Sequence, residues 1–196
     1  EKGTYQIDMI SKSNPDMTVE DSYKIQLENI SRRISQGEKV VGMKIGLTSK
    51  GMQNLLGVNE PDYGHLTDKM IVMEGEICPI KSLIQPKVEG ELAFFLKKSL
   101  KGPGITIADV YHATDWIVSA IEIVDSRIDT IADNGSSAKF VLGNRITKID
   151  GIDMRLIGMN LEKNGELVST GTSAEVLGNP AASVAWLANK LSQFGI

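Results

Sequence analysis

Two glutamates two residues apart, Glu89 and Glu91, are the first side chains whose type and spacing suggest chemistry. In an extended strand such a pair points to one face. Like charges held there repel unless a cation or solvent lies between them. A third glutamate, Glu122, stands alone inside the apolar run Ile117-Val118-Ser119-Ala120-Ile121-Glu122-Ile123-Val124. A buried carboxylate must be protonated, paired or metal-bound. Three acceptor-only carboxylates on buried strands suit a hard divalent ion such as Mg²⁺ or Mn²⁺. Zinc calls for His or Cys ligands, and the chain holds only His65, His112 and Cys78. Spacing alone leaves two other readings open. Glu89 and Glu91 can face water from an edge strand, and Glu122 can pair with Arg127 or a lysine. Lys44 is flanked on its own strand face by Gly42 and Gly46, which leaves room beside the backbone for a small ligand. It reads either as a lysine snorkelling from a strand end or as a cation for a substrate carboxylate or a proton-transfer group. Asp62, in Pro61-Asp62-Tyr63-Gly64, is either a turn former or an acid or base of a loop-built site.

The whole-chain properties narrow the function classes. The 196 residues carry a net charge of -4, with 41% hydrophobic and 23% charged residues. This is an ordinary globular composition, long enough for a core without disulfides. It lacks the clustered Lys and Arg of a nucleic-acid-binding surface. Lys97-Lys98 reads as a solvated strand end. A lone cysteine fits a reducing, cytoplasmic compartment, and Cys78, followed by Pro79 in a loop, reads as structural. No apolar run reaches the ~20 residues of a membrane span, and the N-terminus does not resemble a signal peptide. Two histidines so placed build no Ser-His-Asp or Cys-His arrangement, and His112 reads as a structural or exposed residue within a helix.

The elements that must position these residues follow from periodicity. Thr18 caps a helix with Asp21 in the reciprocal capping-box position. Tyr23, Leu27, Ile30 and Ile34 form its apolar face, and Gly37 ends it. A strand follows at Val40–Leu47, with Val41, Met43 and Ile45 on one face. Asn59–Gly64 is turn-rich. Val88–Leu96 reads as a largely buried strand. Thr106, with Asp109, caps a second helix. Trp116–Val124, Phe140–Gly143 and Arg155–Leu161 read as strands, and Asn164-Gly165 marks a hairpin. Asn179-Pro180 opens a last helix with a core face of Val184, Leu187, Leu191 and Phe194. The order is not a βαβ alternation, and no G-x-G-x-x-G or P-loop occurs. A mixed α/β (α+β), β-centred fold with flanking helices is expected.

Five segments occur together, in order. They are Met43-Lys44-Ile45-Gly46-Leu47-Thr48-Ser49, Pro61-Asp62-Tyr63-Gly64, Gln85-Pro86-Lys87-Val88-Glu89-Gly90-Glu91-Leu92-Ala93-Phe94, Glu122-Ile123-Val124-Asp125-Ser126-Arg127 and Ala132-Asp133-Asn134. This set resembles the 2-keto-4-pentenoate hydratase (2-hydroxypenta-2,4-dienoate hydratase) family of the fumarylacetoacetate-hydrolase-like superfamily, which also includes the 4-oxalocrotonate decarboxylases. The resemblance implies a meta-cleavage enzyme of aromatic catabolism. It implies Glu89, Glu91 and Glu122 as ligands of a divalent metal, Mg²⁺ first and Mn²⁺ second, and Lys44 and Asp62 as catalytic residues; on the hydratase reading Leu47 and Ser136 lie against the substrate, although Ser136, in the turn Asn134-Gly135-Ser136, also reads as a plain turn residue. It further implies water addition to 2-hydroxypenta-2,4-dienoate, giving 4-hydroxy-2-oxopentanoate. The alternatives are decarboxylation of 4-oxalocrotonate and a non-catalytic subunit associated with a pathway partner enzyme. Homo-oligomers are expected, with no nucleic-acid or membrane partner. The expected organisation is an N-terminal helical segment, 1–38, and a fumarylacetoacetate-hydrolase-like domain, 39–196, missing its C-terminal strands. Two departures from the family pattern stand out. Ile128 runs directly into Asp129 where the hydratases carry a short extra stretch, and the family continues beyond the position of Ile196. A mobile lid and further strands are the expected missing pieces.

Overall fold

The computed structural model describes residues 5–195. Its elements are α1 (Ile10–Ser13), α2 (Val19–Ser35), β1 (Val40–Gly46), α3 (Lys50–Leu56), β2 (Asp62–Thr67), β3 (Lys87–Leu96), α4 (Ile107–Ala113), β4 (Thr114–Val124), β5 (Ser137–Leu142), β6 (Gly158–Lys163), β7 (Glu166–Thr172) and α5 (Pro180–Ser192). Strands pair as β1-β2, β3-β4-β5 and β6-β7. The pairs β1-β2, β4-β5 and β6-β7 are all antiparallel. Helices and antiparallel sheets are thus mixed, as the pattern predicts.

The chain divides into two compact units that interleave in sequence. The first comprises Glu1–Gly46, Asp62–Glu91 and Ala120–Leu142; the second comprises Leu47–Pro61, Leu92–Ser119 and Gly143–Ile196.

In the first unit, α2 starts with the full capping box of Thr18 and Asp21. Its apolar face is narrower than periodicity predicts. Tyr23 and Ile30 are buried, whereas Ile34 is exposed. The fully buried Gln26 lies on this face instead, donating through Nε2 to the carbonyls of Tyr63 and Ile131 at 2.9 and 2.8 Å. Tyr23 stacks on Tyr63 with ring centroids 4.5 Å apart. These contacts tie α2 to β2. Asp62 opens β2 rather than lying in a turn, because Asp62–Thr67 pairs with β1, setting Lys44 opposite Gly64 and Gly46 opposite Asp62.

In the second unit, α4 carries the expected Thr106–Asp109 capping box, and α5 the Asn179 cap with Pro180 at its first turn. One core joins Val110, Ala181 and Ala185 to Phe94 and Leu100. A second joins Ile117, Ile149 and Met154 to Leu92 and Ile157. The buried face of α5 uses Ala181, Ala185, Leu187 and Ala188, so small residues let α4 approach closely. Strand β6 begins at Gly158, later than the expected Arg155, because Arg155 is held in a turn by Asp153, whose carboxylate accepts from its N–H and guanidinium. The hairpin falls at Asn164-Gly165, both with φ > 0. Among the described residues no helix is long and apolar enough to cross a membrane.

Candidate metal centre

Lys44, Asp62, Glu89, Glu91, Glu122 and Ser136 all lie in the first unit. Strand β3 displays Glu89 and Glu91 on one face, and β4, its neighbour in the sheet, brings in Glu122. One carboxylate oxygen from each of the three lies within 4.8 Å of the other two. Glu122 is buried and sits opposite Phe140 of β5. Glu89 and Glu91 are less enclosed than the sequence suggests. Their strand is open at this end, with Val88 half exposed, and both count as exposed by area. Their carboxyl ends nevertheless lose hydration to surrounding protein. Burial, then the charges of Glu122 and Glu89, push Glu91 up to about 7. Burial and then Glu122 also raise Glu89, against the pull of Lys44 and Lys87.

Lys44 supplies the opposing charge. Its Nζ stands 3.3 Å from Glu122 Oε1, with both side chains almost wholly buried, and it donates to the Gly135 carbonyl at 2.8 Å. The partner of Glu122 is therefore Lys44, while Arg127 pairs with Asp133 at 2.7 Å. Asp62 is buried, and among the described residues no side chain donates a hydrogen bond to its carboxylate, which faces the Gly46 backbone. Loss of hydration raises its pKa, Lys44 pulls it down, and Glu122 adds a further upward push. The glycine beside Lys44 is a packing requirement. A Cβ at Gly46 would collide with Asp62 Oδ1 and crowd Lys44 Nζ. At Gly42 it would meet only Leu66, at an ordinary 3.8 Å.

The loop after β4 completes the surroundings. Asn134, Gly135 and Ser136 all have φ near +60°, a run that L-residues rarely adopt. Asn134 holds it in place, accepting from the His65 N–H at 2.7 Å and donating to the His65 carbonyl at 2.8 Å. The turn thereby presents the Gly135 carbonyl to Lys44. Ser136 is buried, with its hydroxyl 2.9 Å from that of Ser126. Leu47, the next residue after Gly46, belongs to the second unit, where its carbonyl accepts from Gln53 at 2.7 Å. Neither histidine joins the cluster. His65 is buried, with Nδ1 3.2 Å from Gln26 Oε1, and His112 is exposed in the last turn of α4. Cys78 is half-buried in a loop.

The donor set fits a hard divalent cation. It consists of acceptor-only oxygens, two of them on carboxyls whose ionisation the other carboxylates oppose, with Lys44 as a buried counter-charge. A divalent ion there would offset the repulsion that the cluster otherwise carries. Reasoning from the sequence did not single out the Gly135 carbonyl or Asn134. Asn134 lies inside a segment that carries the family resemblance, without a property of its own to reveal a role.

No protein-family model matches the chain. It is 52% identical over 190 residues to a 2-hydroxypent-2,4-dienoate hydratase of Pseudomonas putida, covering 92% of this chain and 86% of the relative. Among solved structures, a 4-oxalocrotonate decarboxylase from Pseudomonas putida G7, complexed with magnesium and adipate, superposes with a TM-score of 0.94 at 38% identity, over 98% of this chain and 76% of that one. A fumarylacetoacetate hydrolase family protein from Yersinia pestis CO92 shares the fold alone, with a TM-score of 0.57 at 12% identity, over 75% of this chain and 73% of that one. The fold is therefore fumarylacetoacetate-hydrolase-like, with a carboxylate-lined centre suited to a divalent metal. The chain belongs to the family of the 2-keto-4-pentenoate hydratases and 4-oxalocrotonate decarboxylases.

Proposed function

We propose that the protein is a hydro-lyase of aromatic meta-cleavage catabolism, adding water to 2-hydroxypenta-2,4-dienoate to give 4-hydroxy-2-oxopentanoate. The observation that carries this reading is the buried Lys44, paired with Glu122 and acting on the buried Asp62, against the three-glutamate cluster. Glu89, Glu91 and Glu122 hold the divalent metal, Mg²⁺ first and Mn²⁺ second. When bound, such an ion supplies a Lewis acid to the adjacent oxygens of a 2-oxy acid.

Lys44 offers a fixed positive charge to the substrate carboxylate and to the oxygen at C2, where negative charge develops. Hydration needs a proton taken from the 2-hydroxyl and one delivered to C5, which leaves a conjugated 2-oxo-3-enoate. Water then bonds through oxygen at C4, and a proton is delivered to C3. Asp62 suits this traffic. Loss of hydration shifts it toward the protonated form, and its buried carboxylate, beside the Lys44 charge, can exchange a proton with water. Leu47 and Ser136 contact the substrate. The enzyme acts in the cytoplasm as a homo-oligomer.

Decarboxylation of 4-oxalocrotonate is the second reading, favoured by the likeness to the magnesium–adipate decarboxylase structure. Steady-state assays on each substrate, with Mg²⁺ and with chelator, separate the two. The hydratase reading expects metal-dependent consumption of the dienoate with a product one water heavier. CO₂ release from 4-oxalocrotonate without dienoate hydration would replace it with the decarboxylase.

A further inference from the structure

Asp125 has no place in the chemistry above, yet it is 97% buried and both of its carboxylate oxygens are engaged. They accept from the backbone N–H of Ile84, at 3.0 and 2.9 Å, and from that of Gln85, at 2.7 Å. Those two amides lead into β3, three and two residues before its first residue, Lys87. Asp125 follows directly on β4, three residues after Glu122. One carboxylate therefore clamps the chain that delivers Glu89 and Glu91 to the strand end that delivers Glu122. The Asp125 N–H also donates to the Ser136 carbonyl at 2.8 Å. That bond ties in the turn whose Gly135 carbonyl holds Lys44.

The geometry points to Asp125 as the positioning residue of the carboxylate cluster: we propose that its grip on the Ile84 and Gln85 amides sets the register of β3 against β4 and so the spacing of the three glutamates. The inference rests on reading those glutamates as a metal site. Register matters here because side chains alternate along a strand. A slip of one residue replaces Glu89 and Glu91 on the inner face with Val88 and Gly90. The open end of β3 has little apolar packing of its own to prevent this, since Val88 is half exposed. A charged acceptor for two adjacent N–H groups is the local substitute.

Asp125→Asn keeps the volume and one acceptor oxygen, and Asp125→Ala removes the clamp. Asp133→Asn is the control, since Asp133 is equally part of this loop but grips Arg127 rather than β3. Mn²⁺ affinity is measured on each folded protein by calorimetry and by loss of the free-ion electron paramagnetic resonance signal. Asp125→Asn is expected to weaken Mn²⁺ binding roughly 10–100-fold, with Asp125→Ala at or beyond the upper end, whereas Asp133→Asn stays within about twofold of the unmodified protein. At saturating Mn²⁺ the Asp125→Asn protein recovers most of its kcat, because Asp125 touches no reacting atom. Unchanged Mn²⁺ affinity in Asp125→Asn, or equal weakening in Asp133→Asn, overturns the assignment. Failure of the unmodified protein itself to bind Mn²⁺ overturns the metal reading and this inference together.

Discussion

Replacing Glu91 with glutamine should stabilise the metal-free protein at alkaline pH while abolishing its stabilisation by metal. In the folded state the Glu91 carboxyl is pushed from 4.5 up to about 7, first by loss of hydration and then by the charges of Glu122 and Glu89. Its folded pKa thus lies above the unfolded value. The folded state binds more protons between these limits, so stability falls as pH rises from about 4.5 through about 7. The full difference corresponds to roughly 3 kcal/mol. Glu91 is partly open to water, and solvent screening trims this to about 1–2 kcal/mol. Glutamine carries no charge and escapes the penalty. At pH 8 in chelator, Glu91→Gln is expected to melt about 2–8 °C above the unmodified protein, given roughly 2–4 °C per kcal/mol for a chain of this size. At pH 4.5 the two should coincide. Addition of Mg²⁺ at one hundred times its Kd stabilises the unmodified protein by about 2.7 kcal/mol and leaves the variant unmoved. Differential scanning calorimetry of both proteins at both pH values, with and without Mg²⁺, checks these expectations. A variant less stable than the unmodified protein at pH 8 in chelator, or equally stabilised by Mg²⁺, would refute the argument that mutual repulsion and metal binding share these three carboxylates.

Other substitutions test the neighbouring geometry. Lys44→Met leaves the buried Glu122 carboxylate without its cation, which should cost roughly 3–5 kcal/mol in chelator. Urea titration should show part of that loss restored by Mg²⁺, and a loss that Mg²⁺ does not touch would count against the Lys44–Glu122 pairing. Gly46→Ala drives a Cβ into Asp62 Oδ1 and should lower stability by about 1–3 kcal/mol; Gly42→Ala, with ordinary contact only, should be tolerated, and the two melting curves check the contrast. Burial lowers the pKa of His65, against a raising contribution from Asn134. Its neutral form is therefore favoured by folding, and this contribution is complete above about 6.5 and lost as pH falls below it. A His65→Gln protein should show a flatter stability profile between pH 5 and 7 by denaturant unfolding, and an unchanged slope would remove His65 from the acid sensitivity.

Much of the fold could be read locally. The capping boxes at Thr18 and Thr106, the Asn179-Pro180 start of α5 and the Asn164-Gly165 hairpin depend on bonds within a few residues, and all occur as expected. Faces and ends were less legible. Ile34 is exposed, Gln26 is buried, α5 packs through alanines, and Asp62 belongs to a strand, because in each case a distant segment decides. Helix α3 carries too weak an apolar period to announce itself. The same division runs through the candidate site. The strand period by itself determined that Glu89 and Glu91 share a face, and the apolar run around Glu122 determined that this carboxylate needs a partner. Only the tertiary structure decided that the partner is Lys44, that Asp62 is buried within reach of the same charge, and that Asp125 holds the entry to β3. The physical reason is that local geometry sets a side chain's direction, whereas strand pairing and a left-handed turn after β4 set which directions converge. Those depend on segments of the chain some forty to ninety residues apart.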